Sequence, residues 1–250
     1  MSRYDFSAPR LFLEAALSFG VDVPLTREQA NYLVNVLRLA VGDSVLVFNG
    51  RDGEWLANLS AVSKKSASLR LQDRRREQEA VPDIDYLFAP LKHARLDYMV
   101  QKAVEMGARR LTPVLTARTQ VHRINAERMR ANAIEAAEQC GILSLPEIDA
   151  PVALDRVLGA WPDDRLLVFC DEDAPVADPL AALRSRVGAS PPPAAVLIGP
   201  EGGFDERERR LLLAFPRALA ISLGPRVLRA DTAGVAAMAL VQAALGDWRA

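Results

Sequence analysis

The chain has 250 residues, half of them hydrophobic, with 31 basic and 32 acidic side chains and a net charge of −1. That length supports one large domain or two ordinary ones with a sizeable core, and the charge balance excludes a generally basic nucleic-acid coat, so any RNA contact must be a local patch. Two cysteines, Cys140 in a helical run and Cys170 in a strand run, lack metal-ligand spacing and read as buried small hydrophobes of a reduced, cytoplasmic protein. Arg3, Asp5 and Arg10 stand at the N-terminus without an apolar segment, which argues against a signal peptide. The longest uncharged stretch, Thr232 to Gly246, is too short and too rich in Ala, Gly and Gln to span a bilayer, and reads as a packed helix.

In chain order, the N-terminal part is β-rich, with short apolar runs at 11–13, 44–48, 54–62 and 67–71 separated by turn signals. One helix sits among them. Thr26 and Gln29 form a capping-box pattern, and Tyr32, Leu33, Val36 and Leu37 then mark an apolar helical face. Asn49-Gly50-Arg51-Asp52-Gly53 is a hairpin turn with two glycines available for positive φ. These signals predict a small barrel carrying one helix. The charged run Arg74-Arg75-Arg76-Glu77-Gln78-Glu79, closed by Pro82, has no apolar face and reads as a linker, so the boundary is placed between domains 1–76 and 77–250.

Beyond it, strand runs near 85–89, 111–115, 165–170, 194–198 and 218–223 alternate with helical runs. Gly107 and Gly141 stand where helix C-caps belong, and Asn125 and Asp205 where N-caps belong. The alternation predicts an α/β domain with a mainly parallel sheet. In such a sheet ligands collect at the carboxyl ends of strands. Two glycine-bearing segments lie there: Leu197-Ile198-Gly199-Pro200-Glu201-Gly202-Gly203-Phe204 and Leu223-Gly224-Pro225-Arg226-Val227-Leu228-Arg229-Ala230-Asp231-Thr232. Glycine lets main-chain groups approach a ligand without a Cβ in the way, while Pro200 and Pro225 stiffen the turns, which suits a flat, polar-edged ligand such as adenine. Neither segment is a G-x-G-x-x-G or Walker-type motif, so phosphate cradling is disfavoured.

These paired segments resemble the signatures of the RsmE family, SPOUT-class 16S rRNA (uracil-N3)-methyltransferases. The likeness extends in order to Pro9-Arg10-Leu11-Phe12, to Gln101-Lys102-Ala103-Val104-Glu105-Met106-Gly107, and to Glu135-Ala136-Ala137-Glu138-Gln139-Cys140-Gly141 before Pro146-Glu147. The resemblance implies an N-terminal PUA-like β-barrel for RNA and a C-terminal SPOUT domain, trefoil-knotted around S-adenosyl-L-methionine (SAM). It implies a homodimer that methylates N3 of a decoding-site uridine in helix 44 of 16S rRNA within the assembled 30S subunit, without a metal and away from any membrane. The cofactor site it implies comprises Leu197, Ile198, Gly199, Pro200, Glu201, Gly202 and Gly203 from one loop and Leu223, Gly224, Val227, Leu228 and Thr232 from the other. The strand end Phe169-Cys170-Asp171-Glu172 is a looser third match.

For the transfer, a guanidinium beside O2 or O4 of the base would stabilise charge developing on the ring, and Arg226 is the candidate. Arg229 could instead bind phosphate. Asp231 is a candidate proton acceptor, although Asp231 or Thr232 before an Ala-rich helix is more simply an N-cap. Glu201 reads as a loop-ordering carboxylate. Six arginines between residues 109 and 130, with His122, face one acidic residue, Glu127, and suggest a basic stripe for RNA. From it Arg118, His122 and Arg123, together with Arg10 of the N-terminal motif, are the RNA-binding candidates. Arg128 and Arg130 read equally well as a solvated helix face. His93 and His122 are too isolated for metal or triad chemistry.

Two departures from the family pattern stand out. Ile142 follows Gln-Cys-Gly where an arginine is common, and Ala230-Asp231 replaces a Thr-Glu pair. The alternative readings are a non-catalytic RNA-binding or ribosome-assembly factor on the same scaffold, and a methyltransferase for another rRNA or tRNA position.

Overall fold

The hairpin at Asn49–Gly53 shows how the N-terminal sheet is laid out. Asn49 Oδ1 accepts the N–H groups of Arg51 and Asp52 (3.0 and 2.9 Å), and Gly50 and Gly53 take φ of 83° and 81°. The turn thereby joins β3 (Ser44–Phe48) to β4 (Glu54–Val62) in antiparallel register. The computed structural model describes residues 8–63, 66–92, 94–174 and 178–249, so Arg3, Asp5 and His93 lie outside the described residues. The chain divides into two units, Met1–Ala80 with Ala137–Leu145, and Val81–Ala136 with Pro146–Ala250.

In the first unit β1 (Arg10–Phe12) and β2 (Asp22–Pro24) complete, with β5 (Ala67–Arg76), a five-stranded sheet of order β1-β3-β4-β5-β2. Alternate residues Val45, Val47, Ala57, Leu59, Leu69 and Leu71 are fully buried in its core, as the period-two pattern of a half-buried strand requires. The helix α1 (Arg27–Asn31) starts at Thr26 with both arms of the predicted capping box formed. It then widens into a π-helical turn over Tyr32–Val36, closed by Leu37 N–H on the Tyr32 carbonyl (2.9 Å). The widening breaks the predicted apolar face: Leu33 is buried, but Val36 and Leu37 are exposed. The linker reading of the charged run is corrected as well. Arg74 and Arg76 belong to β5, paired in register with Trp55 and Glu54.

The second unit holds β6 (Ile84–Phe88), α2 (Ala94–Glu105), β7 (Arg110–Leu115), α3 (Ala126–Cys140), β8 (Glu147–Ile148), β9 (Val152–Ala153) and α4 (Leu154–Gly159), the end of α3 grouping with the first unit. It continues with β10 (Leu166–Cys170), α5 (Pro179–Arg184), β11 (Ala194–Ile198), α6 (Glu206–Ala214), β12 (Ala218–Ile221) and α7 (Ala230–Leu245). The sheet runs β12-β10-β11-β6-β7-β8, every pairing parallel, with β9 added beside β7. The five residues of β11, Ala-Ala-Val-Leu-Ile, are all buried, as expected of a parallel strand covered on both faces. Gly107 and Gly141 follow α2 and α3 with φ of 76° and 66°, the left-handed conformation of a helix stop. Asn125 Oδ1 accepts Arg128 N–H (3.0 Å), and Asp205 forms a capping box with Glu208. The cysteines depart from expectation: Cys140 is exposed, because it ends the solvent side of α3, and Cys170 is partly exposed at the end of β10. No described helix is long and apolar enough to cross a membrane.

Candidate functional site

Because β10, β11 and β12 are adjacent and parallel, the segments leaving their carboxyl ends emerge side by side. They line a cavity of about 650 Å³. Ile198 through Phe204 form one wall and Leu223, Gly224 and Arg226 through Ala230 another, with Cys170 to Asp173 between them. The two glycine loops and the loosely matched strand end therefore meet at one place. Leu197, whose side chain is buried in the core, precedes the first residue of that wall, Ile198. Asp231 and Thr232 also lie outside the lining.

The loop after β11 is shaped by its glycines. A Cβ on Gly199 would stand 3.1 Å from the Phe204 ring, which itself packs edge-on against Phe169. Gly203 takes φ +68° and its N–H closes the turn on the Pro200 carbonyl (2.8 Å). Across the cavity Gly224 takes φ +101°, a conformation that side chains rarely adopt. Main-chain groups are thus bared on both walls of a space of ordinary ligand size. A nucleoside-bearing ligand with apolar faces and a polar edge fits such a cradle.

Charge around the cavity is mixed. Arg95, in the first turn of α2, forms an ion pair with Glu201 and places Nε 3.8 Å from Asp231 Oδ2. Arg118 Nη1 donates to the Gly202 carbonyl (2.5 Å), and its stem lies over Gly202. The Arg118 segment is itself fixed: Thr116 N–H donates to Thr119 Oγ1 (2.9 Å), and Ala117 N–H to the buried Glu208 carboxylate (2.7 Å). Arg209 Nε donates to both oxygens of Asp171 (3.1 and 2.9 Å). Arg226 and Arg229 are exposed at the rim. Burial pushes the Cys170 thiol up to about 12, so at neutral pH it is a protonated wall and not a nucleophile.

The N-cap reading of Asp231 and Thr232 is corrected. The capping position of α7 is Arg229, which makes no side-chain cap bond; Asp231 lies inside the first turn and accepts the Thr232 N–H (2.8 Å). There its negative charge faces the positive end of the helix dipole. Arg10 is corrected too. Its guanidinium is paired with Glu54 at 2.7 Å and both side chains are 3% exposed, so it cannot meet a phosphate. The basic stripe breaks up: Arg109 pairs with Asp83 and Asp85, Arg110 with Glu147 and Asp149, and Arg128 with Asp97. His122 and Arg123 remain exposed in the segment that follows β7, outside the cavity lining.

Sequence reasoning missed Arg95 and Arg209. Both sit on helices, and their partners, 106 and 38 residues away in sequence, carry no local signal. Among the described residues no group of His, Cys, Asp and Glu could hold a metal ion.

A site of glycine loops at the ends of a parallel sheet, joined to a separate β-unit, defines a class. The RNA methyltransferase domain family matches residues 77–242 and the RNA methyltransferase PUA domain family residues 25–72, so the chain is an RNA methyltransferase of the PUA-plus-SPOUT type. Ribosomal RNA small subunit methyltransferase E of Synechocystis is 30% identical over 95% of this chain and 76% of its own, and that of Rickettsia conorii 29% identical over 93% and 94%. A crystal structure of ribosomal RNA small subunit methyltransferase E from Neisseria gonorrhoeae, bound to S-adenosyl methionine, superposes with a TM-score of 0.85 at 27% identity, covering 96% of this chain and 99% of that one. The chain belongs to the ribosomal RNA small subunit methyltransferase E family.

Proposed function

We propose that this protein uses SAM to methylate N3 of the decoding-site uridine in helix 44 of 16S rRNA, acting as a cytoplasmic homodimer on the assembled small subunit. The observation that carries this reading is the convergence of both glycine loops on one cavity of about 650 Å³. SAM supplies, when bound, an electrophilic methyl group on a sulfonium. The chain supplies the rest. Main-chain groups of Gly199 to Gly203 and of Leu223 and Gly224 hold the adenosine and methionine parts, while Ile198, Val227 and Leu228 cover apolar faces. Pro200 and Glu201 set the loop that carries the glycines.

Uracil N3 carries a proton that must leave before or as the methyl arrives, so the site has to favour negative charge on the ring. Arg226 stands at the rim and makes no ion pair with a described residue, which leaves its guanidinium available to O2 or O4 of the base. Arg229 is equally exposed and takes a flanking phosphate. Asp231, whose carboxylate lies 3.8 Å from Arg95 Nε in the first turn of α7, is the candidate acceptor for the N3 proton. Arg118, His122 and Arg123, at the carboxyl end of β7, give the RNA backbone its local basic contacts. The target base must leave its stack to reach the methyl.

Methyl transfer from labelled SAM to small subunits prepared without this enzyme, followed by nucleoside mass spectrometry of the 16S rRNA, tests the proposal. N3-methyluridine at helix 44 is expected. A methylated cytidine, a ribose methyl, or label in another RNA would contradict it.

A further inference from the structure

We propose that Arg95 is a positioning residue of the methyltransferase site, tying the loop after β11 to the first turn of α7; the inference rests on the cofactor reading above. Glu201 stands on the wall built by the loop after β11, and Asp231 stands in the first turn of α7, next to the lining residue Ala230. Arg95 comes from a third strand end, two turns of chain beyond β6, and its guanidinium reaches both: an ion pair to Glu201, and Nε at 3.8 Å from Asp231 Oδ2. One cation thereby offsets the charge of two carboxylates that come from different segments.

The loop needs such a tether. Glu201 and Gly202 are exposed, two glycines follow Glu201, and the β11 core ends at Ile198. Backbone freedom of that kind is costly to freeze when a ligand binds. Among the described residues two guanidinium groups hold the loop, Arg118 on the Gly202 carbonyl and Arg95 on the Glu201 carboxylate. The Arg118 contact grips the main chain of a residue that many loop conformations could present. The Arg95 contact is charge-assisted at both ends and fixes the loop against a helix, the stronger form of the interaction. Asp231, 17% exposed, is the more buried of the two carboxylates, and Arg95 is one-third exposed, so the pairing is only partly screened by solvent. Arg95 borders the cavity, and the contacts its guanidinium makes are to the two protein carboxylates. It acts through the loop, preparing it before the cofactor arrives.

A double-mutant cycle on SAM affinity, read by titration calorimetry, tests this. Arg95→Met and Glu201→Gln should each weaken SAM binding about tenfold, and the double variant should be no weaker than either single one. Arg95→Lys should recover most of the affinity, because the charge survives although the planar fork does not. The turnover number on saturating SAM should fall far less than the affinity, the signature of a residue that preorganises and does not react. Losses that multiply to about a hundredfold in the double variant would show two independent contributions and overturn the tether, as would wild-type affinity in Arg95→Met. Should Arg95→Met fail to fold, Glu201→Gln alone decides, since Glu201 lies on an exposed loop: wild-type SAM affinity in that variant would overturn the tether. A wild-type protein that binds no SAM would instead sink the cofactor reading itself.

Discussion

At Gly199 a side-chain carbon would press on the Phe204 ring at 3.1 Å, and at Gly224 the backbone turns through φ +101°. Those two positions explain why the motif letters fall where they do, and they are legible in the sequence because two such loops occur together in the family's order, whereas one Gly-Pro pair after a strand reads as an ordinary tight turn. The charged residues are less legible. Arg226 was picked by its place in the motif and stands at the rim; Arg226→Ala should lower methyl transfer by about 10²-fold or more while SAM affinity stays near wild type, measured by parallel transfer assays and calorimetry. Unchanged turnover would remove its role. Arg10 was picked by the same kind of match, yet its guanidinium is sealed against Glu54. Arg10→Ala should therefore cost roughly 1–3 kcal/mol of stability, seen as a lower urea midpoint, because it takes the nearer of two cations from the buried Glu54 carboxylate and leaves Arg76 at 3.8 Å. RNA affinity of the folded fraction should not change. Motif identity located Arg10, but burial decides what it does, and burial depends on a partner 44 residues away.

At the scale of elements, the strands legible in the sequence are those with uninterrupted or alternating apolar runs: β1, β3, β4, the first half of β5, β6, β7, β10, β11 and β12. The missed ones, β2, β8 and β9, are two or three residues long and give no periodicity to read. The π-helical turn escaped because a 3.6-residue period assigns Val36 and Leu37 to the buried side, whereas a wider turn rotates them outward. The start of α7 was misread for a related reason. A carboxylate before an Ala-rich run suggests a cap, but the helix begins one residue earlier than that, at Ala230. The packing of α7 on β6 makes a sharper prediction. A Cβ on Gly234 would lie 2.1 Å from the Tyr86 hydroxyl and 3.1 Å from its ring carbon, and Tyr86 is buried and stacked on Phe88. Gly234→Ala should destabilise the protein by about 1–3 kcal/mol, lowering the urea midpoint without changing the slope. A stability equal to wild type would mean that helix and strand are looser than they stand here.

For the molecule as a whole, the buried Tyr86 phenol and the half-buried Cys170 thiol set the alkaline limit. Burial pushes the Cys170 thiol from 9.0 up to about 12 and raises the Tyr86 phenol from 10.0. In the unfolded chain both lose their protons at the lower values, so above about pH 9 the unfolded state binds fewer protons than the folded one and stability falls as pH rises. Urea midpoints measured near pH 8 and near pH 10.5 should show that fall, and Cys170→Ala should flatten part of it; equal slopes in the two proteins would contradict the assignment. The fold class followed from the alternation of strands and helices and from the motif order, whereas the grouping of Ala137–Leu145 with the N-terminal unit did not, because it depends on contacts such as Phe12 N–H to Glu138 (2.9 Å) that join distant segments.

On the proposed function, one cavity, made by the segments after β11 and β12, receives SAM. Amide hydrogen exchange with and without SAM tests it most directly, because slowed exchange marks where a ligand orders the backbone. Protection confined to residues 198–204 and 222–230, with a smaller effect at 170–173, is the predicted result. Protection elsewhere with both glycine loops unchanged would contradict the account.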